Sequence, residues 1–185
     1  GDATRRRLAR KGFAQTAAYD AAIVRWCDQP SATDEGRAEL PESVHLAYRR
    51  EPLPLRYGEN PHQRAALYRA TITAGGPEPW WATMTQHGGV ALSYLNLYDA
   101  DAAWLLVHDL AARFGRHAAA IVKHANPCGV AVAHTLADAY QRAFECDERS
   151  AFGGIVAVSS VVDEATVDRM VAAAQADVVI APGYA

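Results

Sequence analysis

The chain has 185 residues, half of them hydrophobic and 21% charged, a balance that suits a globular protein of one or two domains. Its formal net charge of -3 offers no basic excess, which argues against general affinity for nucleic acid or a membrane surface while leaving room for local basic sites. Cys27, Cys128 and Cys146 are odd in number and widely spaced, which speaks against a disulfide framework and for a reducing compartment.

No apolar run approaches the roughly 20 residues that a membrane span requires. The basic start, Thr4 to Lys11, lacks the apolar core of a signal peptide and reads as a helix face. A soluble, cytoplasmic protein is expected. The chain begins at Gly1 directly in a helical pattern and ends just beyond a strand-like run, so we read it as an internal segment of a longer polypeptide.

Asp2 to about Cys27 reads as one helix. Leu8, Phe13, Ala17, Ala21 and Val24 recur at helical steps, the arginines take the wet face, and Asp2 or Thr4 is placed to cap the first turn. Residues 28–43, with Pro30, Gly36 and Pro41, read as a linker and as the best domain boundary. Short strands are expected at Val44 to Tyr48 and from Ala66 to Tyr68, with turns at Gly75-Gly76 and Gly88-Gly89.

Asn96 to Phe114 fits a helix whose inner side carries Ala103, Leu106, Val107 and Leu110, leaving Asp99, Asp101 and Asp109 largely on the outer one. Ala118 to Val122 is a strand of the buried type, followed by a loop over 124–129. Thr135 opens a helix through Phe144, with Asp138 in its first turn. Gly153 to Ser159 reads as a strand, Asp163 to about Ala174 as a helix, and Val178 to Ala181 as a last strand. This alternation predicts an α/β layer with parallel strand pairs.

Three stretches carry candidate chemistry. In Ile121 to Gly129 an apolar strand delivers Lys123 and His124 to its carboxyl end, where ligands bind in α/β sheets and where Pro127 and Gly129 make the chain turn. A neighbouring lysine cation favours the neutral imidazole that a general base needs, and the ammonium suits developing negative charge. In Leu55 to Gln63, Arg56 offers a planar fork for a phosphate, Tyr57 a ring or a hydroxyl, and Gly58 with Asn60-Pro61 a tight turn. Arg149 to Gly154 is a glycine-rich entry to a strand that permits close backbone approach to a ligand, though it is neither a dinucleotide fingerprint nor a P-loop. Each has a plainer structural alternative: a solvated lysine beside a packed histidine, a loop with a surface arginine, a turn around Phe152. Zinc chemistry of the nucleobase-deaminase type is disfavoured, because Asn126 stands where His-x-Glu needs its glutamate and Pro127-Cys128 lacks a second cysteine.

In this order the three stretches, with Leu95 to Ala100, the longer run Glu145 to Gly154, and Ile180 to Tyr184, resemble the bifunctional purine-biosynthesis family that joins AICAR transformylase to IMP cyclohydrolase. The resemblance spans nearly the whole chain and is weakest over 28–43. It implies that residues 1–27 are the closing helix of a cyclohydrolase domain, 28–43 a linker, and 44–185 the first part of a transformylase domain. The implied fold is an α/β, three-layer, cytidine-deaminase-like subdomain, preceded by that helix.

The activity implied by the resemblance is formyl transfer from 10-formyltetrahydrofolate, a co-substrate, to the amine of AICAR, with no metal. His124 is then the base and Lys123 the stabilising cation. Arg56 and Tyr57 match the ribotide-binding pair, and Gly153 a backbone contact to the same ligand. The same resemblance implies a homodimer, and puts the cyclohydrolase site and the folate contacts outside this stretch, so that the segment by itself is expected to be catalytically poor. A catalytically silent dimerisation or scaffold segment is the alternative from another class.

Overall fold

The computed structural model describes residues 1–28, 44, 46–71 and 78–185. They divide into two compact units, Gly1–Glu51 with Tyr68–Thr85, and Pro52–Leu67 with Gln86–Ala185. The linker expected over 28–43 and the turn at Gly75-Gly76 fall, apart from Asp28, outside the described residues.

In the first unit, α1 (Asp2–Cys27) has the bounds that the periodicity predicts. Its start differs from expectation: the cap is Gly1 with no side-chain bond, and Asp2 instead lies 3.7 Å from Arg5 on the helix surface. No residue of α1 is buried, and Leu8, Phe13, Tyr19 and Trp26 stay exposed. Strands β1 (Tyr48–Arg50) and β2 (Tyr68–Ala70) pair antiparallel, each shifted toward the C-terminus of its expected position. Next to them lies the single turn α2 (Trp80–Thr83). Arg69 ties this region together, bonding Glu51 at 2.7 Å and Glu78 at 2.6 Å with its guanidinium 5.3 Å from the Trp81 ring centre.

The second unit is built around β3 (His117–Lys123), whose residues 118 to 122 are all buried. Because strand side chains alternate, β3 feeds two cores. Ala118, Ala120 and Val122 face Ala103 and Val107 of α3 (Tyr94–Phe114). Ala119 and Ile121 face the opposite way, toward Leu136, Ala139, Tyr140 and Ala143 of α4 (Leu136–Glu145), which also packs against α6 (Glu164–Ala172). Helix, sheet and helices therefore make three layers.

The sheet runs β4 (Asn126–Ala133), β3, β5 (Ile155–Val158), β6 (Val178–Ile180), with the short helix α5 (Glu148–Ala151) leading into β5. Only β5–β6 is parallel; β3 pairs antiparallel with both β4 and β5. The expected parallel pairing therefore holds for β5 with β6 and is corrected for β3 with β5. The source of the difference is β4, a strand taken for a loop because of Pro127 and Gly129. As the edge strand, β4 tolerates a residue without an N–H. Its register also slips between Ile121 and Val122, leaving Cys128 without a partner in a bulge. Two non-glycine residues close the β3–β4 hairpin, a connection that periodicity does not reveal.

Helix boundaries follow side-chain caps. Ser93 accepts from the Asn96 N–H at 3.2 Å while Asn96 Oδ1 accepts from the Ser93 N–H at 2.9 Å, so α3 starts two residues before its apolar periodicity does. Gly115, at φ 60°, ends it in the left-handed conformation. Thr135 caps α4 as predicted, and Asp163 caps α6. No helix among the described residues is long and apolar enough to cross a membrane.

Gly129 is where α4 touches the sheet: a Cβ there would fall 1.8 Å from the Ala143 carbonyl oxygen. Gly129→Ala is expected to destabilise the fold by about 3 kcal/mol or more, since main chain must move. Thermal or denaturant unfolding checks this, and a loss below about 1 kcal/mol would contradict the packing. Asp163 gives a pH prediction. Hydrogen bonds from the Thr166 hydroxyl and amide hold its carboxyl below the usual carboxylate range. The cap therefore stabilises above the unfolded-state value and is lost as pH falls through the lowered one. Asp163→Ala should flatten the acid limb of the stability profile and leave the shape of the alkaline limb unchanged.

Candidate active site

Lys123 is the last residue of β3, and the chain reverses through His124 and Ala125 before Asn126 pairs back with Lys123. Both central residues have positive φ, 54° at His124 and 56° at Ala125, the signature of a type I′ turn. Such turns favour Asn-Gly, because a residue with a Cβ held left-handed costs about 1–2 kcal/mol. The strain falls on His124, one of the two residues that the sequence singles out, and on its neighbour Ala125.

Hydrogen bonds hold the turn from two sides. Asp99, in the second turn of α3, accepts from the His124 N–H at 3.1 Å through Oδ2 and from the Ala125 N–H at 2.8 Å through Oδ1. Asn126 Nδ2 donates to the His124 carbonyl at 2.8 Å. Hydrogen bonds to a charged group contribute about 1.5–3 kcal/mol each, enough to offset the strain. His124 itself is exposed.

Lys123 is half-buried and Nζ donates to the Phe152 carbonyl at 3.0 Å, leaving two further N–H groups. The pairing of β3 with β5 brings the Arg149–Gly154 stretch to it. Gly153 adopts φ 68° and donates to the Gln175 carbonyl at 2.8 Å. Gly154 permits the approach of the strands: a Cβ there would fall 2.8 Å from Ile121 Cγ2 and 3.5 Å from Lys123 Cγ. Asp147 caps α5 just upstream, its carboxyl held below the usual range by hydrogen bonds from Ser150. Since β3 and β5 are antiparallel, Lys123 lies beside the amino end of β5. The rule for carboxyl ends of parallel strands is not what locates this site.

Arg56 and Tyr57 belong to a different part of the unit. Arg56 Nη2 donates to the Tyr57 hydroxyl at 3.0 Å, and the guanidinium sits 4.7 Å from the Tyr57 ring centre. Their backbone is fixed to the entry of α3: the Arg56 N–H donates to the Leu92 carbonyl at 2.8 Å, and the Tyr94 N–H to the Tyr57 carbonyl at 3.0 Å. Gly58 and Gln63 close the following turn, as Asn60-Pro61 predicts. The structure thus brings Lys123, with His124 next to it in the turn, to the Phe152 carbonyl that precedes Gly153, and links Arg56 and Tyr57 to that turn through α3, whose entry holds one group and whose Asp99 holds the other.

Residues 1–185 match the family model of the AICARFT/IMPCHase bienzyme. The chain belongs to this family. It is 48% identical over 181 residues to the bifunctional purine biosynthesis protein PurH of Ruegeria pomeroyi, covering 98% of the chain and 32% of that relative. PurH of a Jannaschia species is 46% identical over 179 residues (96% and 31%), and PurH of Dinoroseobacter shibae 46% over 179 (97% and 32%). The chain spans about a third of the length of these relatives.

In this AICARFT/IMPCHase segment, sequence reasoning missed Asp99, placing it on the outer face of α3. The signal for it was an acid early in a helix whose sheet neighbour ends in a turn, but nothing in the sequence pairs residue 99 with residues 124 and 125. Among the described residues no three His, Cys, Asp or Glu side chains cluster as a metal site would require. Cys128, in the bulge beside the site, points Sγ toward the Ser150 carbonyl at 3.7 Å. Burial pushes its thiol up from the ordinary value, outweighing the downward pull of the Lys123 cation, with Asp147 and Asp99 adding to the rise. A thiol kept protonated is a poor nucleophile.

Alkylation of Cys128 is therefore expected to lag behind that of exposed Cys27 at neutral pH, and to accelerate only above the usual thiol range. Lys123→Ala should move the midpoint of its pH–rate profile further up, because the pull of the cation is gone. An unchanged midpoint would mean that Lys123 does not sit beside the thiol.

Proposed function

We propose that this chain is the first part of the transformylase domain of a bifunctional purine-biosynthesis enzyme, residues 44–185, preceded by a linker and by α1 as the closing helix of the cyclohydrolase domain. The reaction is transfer of a formyl group from 10-formyltetrahydrofolate to the amine of AICAR, in the cytoplasm, by a homodimer that requires no metal. The three-layer unit is read as cytidine-deaminase-like. The observation that carries this reading is that Lys123, bonded to the Phe152 carbonyl just before Gly153, and His124 adjoin in a strained hairpin turn, in a chain that matches the bienzyme family throughout.

The chemistry demands such a pair. The AICAR amine is a weak nucleophile because its lone pair is delocalised into the ring. As its nitrogen bonds to the formyl carbon, His124 accepts the amine proton. The Lys123 ammonium, held by the Phe152 carbonyl through one N–H, offers another to the oxyanion of the tetrahedral intermediate. The carbon–nitrogen bond to the folate then breaks, and the leaving nitrogen takes up the proton that His124 accepted, which restores the neutral base. Arg56 binds the ribotide phosphate with Tyr57 beside it, and Gly153 supplies a backbone contact to the same ligand.

Because the chain covers about a third of its relatives, turnover is assigned to the full-length protein. In that protein, Lys123→Ala or His124→Ala should lower kcat for formyl transfer about 10²–10⁴-fold. Arg56→Ala should act mainly by weakening ribotide binding. Full turnover in either the Lys123 or the His124 variant would sink the assigned roles. For the 185-residue segment, ribotide titration beside sedimentation separates an incomplete active site, which binds without turnover, from a scaffold, which dimerises without binding.

A further inference from the structure

We propose that Asp99 is the positioning residue of this site: its carboxylate holds the strained 123–126 turn in the one geometry that presents Lys123 and His124 together. The proposal rests on the formyl-transfer reading above and extends it to a residue that acts through the turn.

Two successive left-handed residues direct their N–H groups to the same side, forming a concavity that attracts an anion. Here a side chain of the same chain fills it, one carboxylate oxygen per N–H. Asn126 is placed to satisfy the His124 carbonyl on the other side. Without glycine at either central position, the turn has little intrinsic preference for this conformation. Its geometry is imposed from α3.

That helix is well anchored for the task. The capping box at Ser93 and Asn96 fixes its first turn, and Leu97 and Ala100, on either side of Asp99 in sequence, are buried. Arg56 and Tyr57 are bonded to the residues just before and at its start. One helix end therefore sets the ribotide pair and, through Asp99, the base and cation. A residue acting this way should change how often the reacting groups are aligned, with little effect on how tightly substrate binds.

The experiment uses the full-length protein. Asp99→Ala should lower kcat for formyl transfer about 100-fold while KM for the ribotide stays within about threefold. Asp99→Asn keeps one acceptor oxygen and should fall between the two. The decisive variant is Asp99→Ala combined with Ala125→Gly: glycine removes the steric penalty at φ 56°, so the turn should reform and kcat recover about tenfold. Hydrogen exchange over residues 121–127, read by mass spectrometry, should accelerate in Asp99→Ala and slow again in the double variant.

Unchanged exchange in Asp99→Ala overturns the clamp. Faster exchange with unchanged kcat overturns the positioning role, and so does a kcat loss that glycine fails to recover. Exchange is independent of turnover. If Lys123→Ala and His124→Ala both proved fully active, the functional reading would fall while exchange still reported on the clamp.

Discussion

Everything in the second unit depends on β3 being buried on both faces. A strand in that position must supply apolar side chains in both directions, and Ala118, Ala119 and Ala120 are fully buried because helices and strand approach closely on each side. Small residues allow α3 to come down on one face and α4 on the other. The same demand for closeness recurs at Gly129 and Gly154, where a single added methyl would strike the Ala143 carbonyl oxygen or the Ile121 side chain. The core is defined as much by these small residues as by Tyr140, Ile121 and Val107.

The candidate site is a consequence of how that buried strand ends. Lys123 is the first β3 residue to escape full burial at its carboxyl end, and the chain must reverse at once to form the edge strand. A two-residue turn does this at the expense of two left-handed residues, one of them His124. The bulge at Cys128 then shifts the register just past Pro127, which pairs with Val122. Strain, bulge and charge are concentrated within six residues, and the neighbouring layers supply the compensation: Asp99 from α3, the Phe152 carbonyl from the entry to β5. Functional sites commonly carry such local costs because the surrounding fold can hold them.

Polar bookkeeping supports the same view. Among the described residues every buried side-chain nitrogen or oxygen has a hydrogen-bond partner, so the caps and clamps are satisfied rather than makeshift. Ser93, almost wholly buried, is occupied by Asn96, and Thr166 by Asp163. By contrast, among the described residues α1 has none that is buried, so its periodicity is a helix signal rather than a core signal.

Helix positions were legible in the amino-acid sequence because side-chain spacing and caps are local. The 3.6-residue rhythm of α1 and α3, and the cap at Thr135 that opens α4, required nothing from elsewhere in the chain, and the buried run of β3 announced itself by composition. The motifs around Arg56, Lys123 and Gly153 were likewise visible as residues. Their assembly was not. Whether Pro127 ends a strand or sits on an edge depends on which neighbour β4 has, and the antiparallel course of the sheet depends on a hairpin closed by His-Ala rather than by glycine. Asp99 looked like one of several solvent-facing acids until the packing of α3 on β3 put it under the turn. Sequence by itself determined the long helices, the buried strand β3 and the chemical groups, since these are written in neighbouring residues. Only the tertiary structure decided strand direction, register and the partner of the strained turn, because those are set by contacts between residues far apart in the chain.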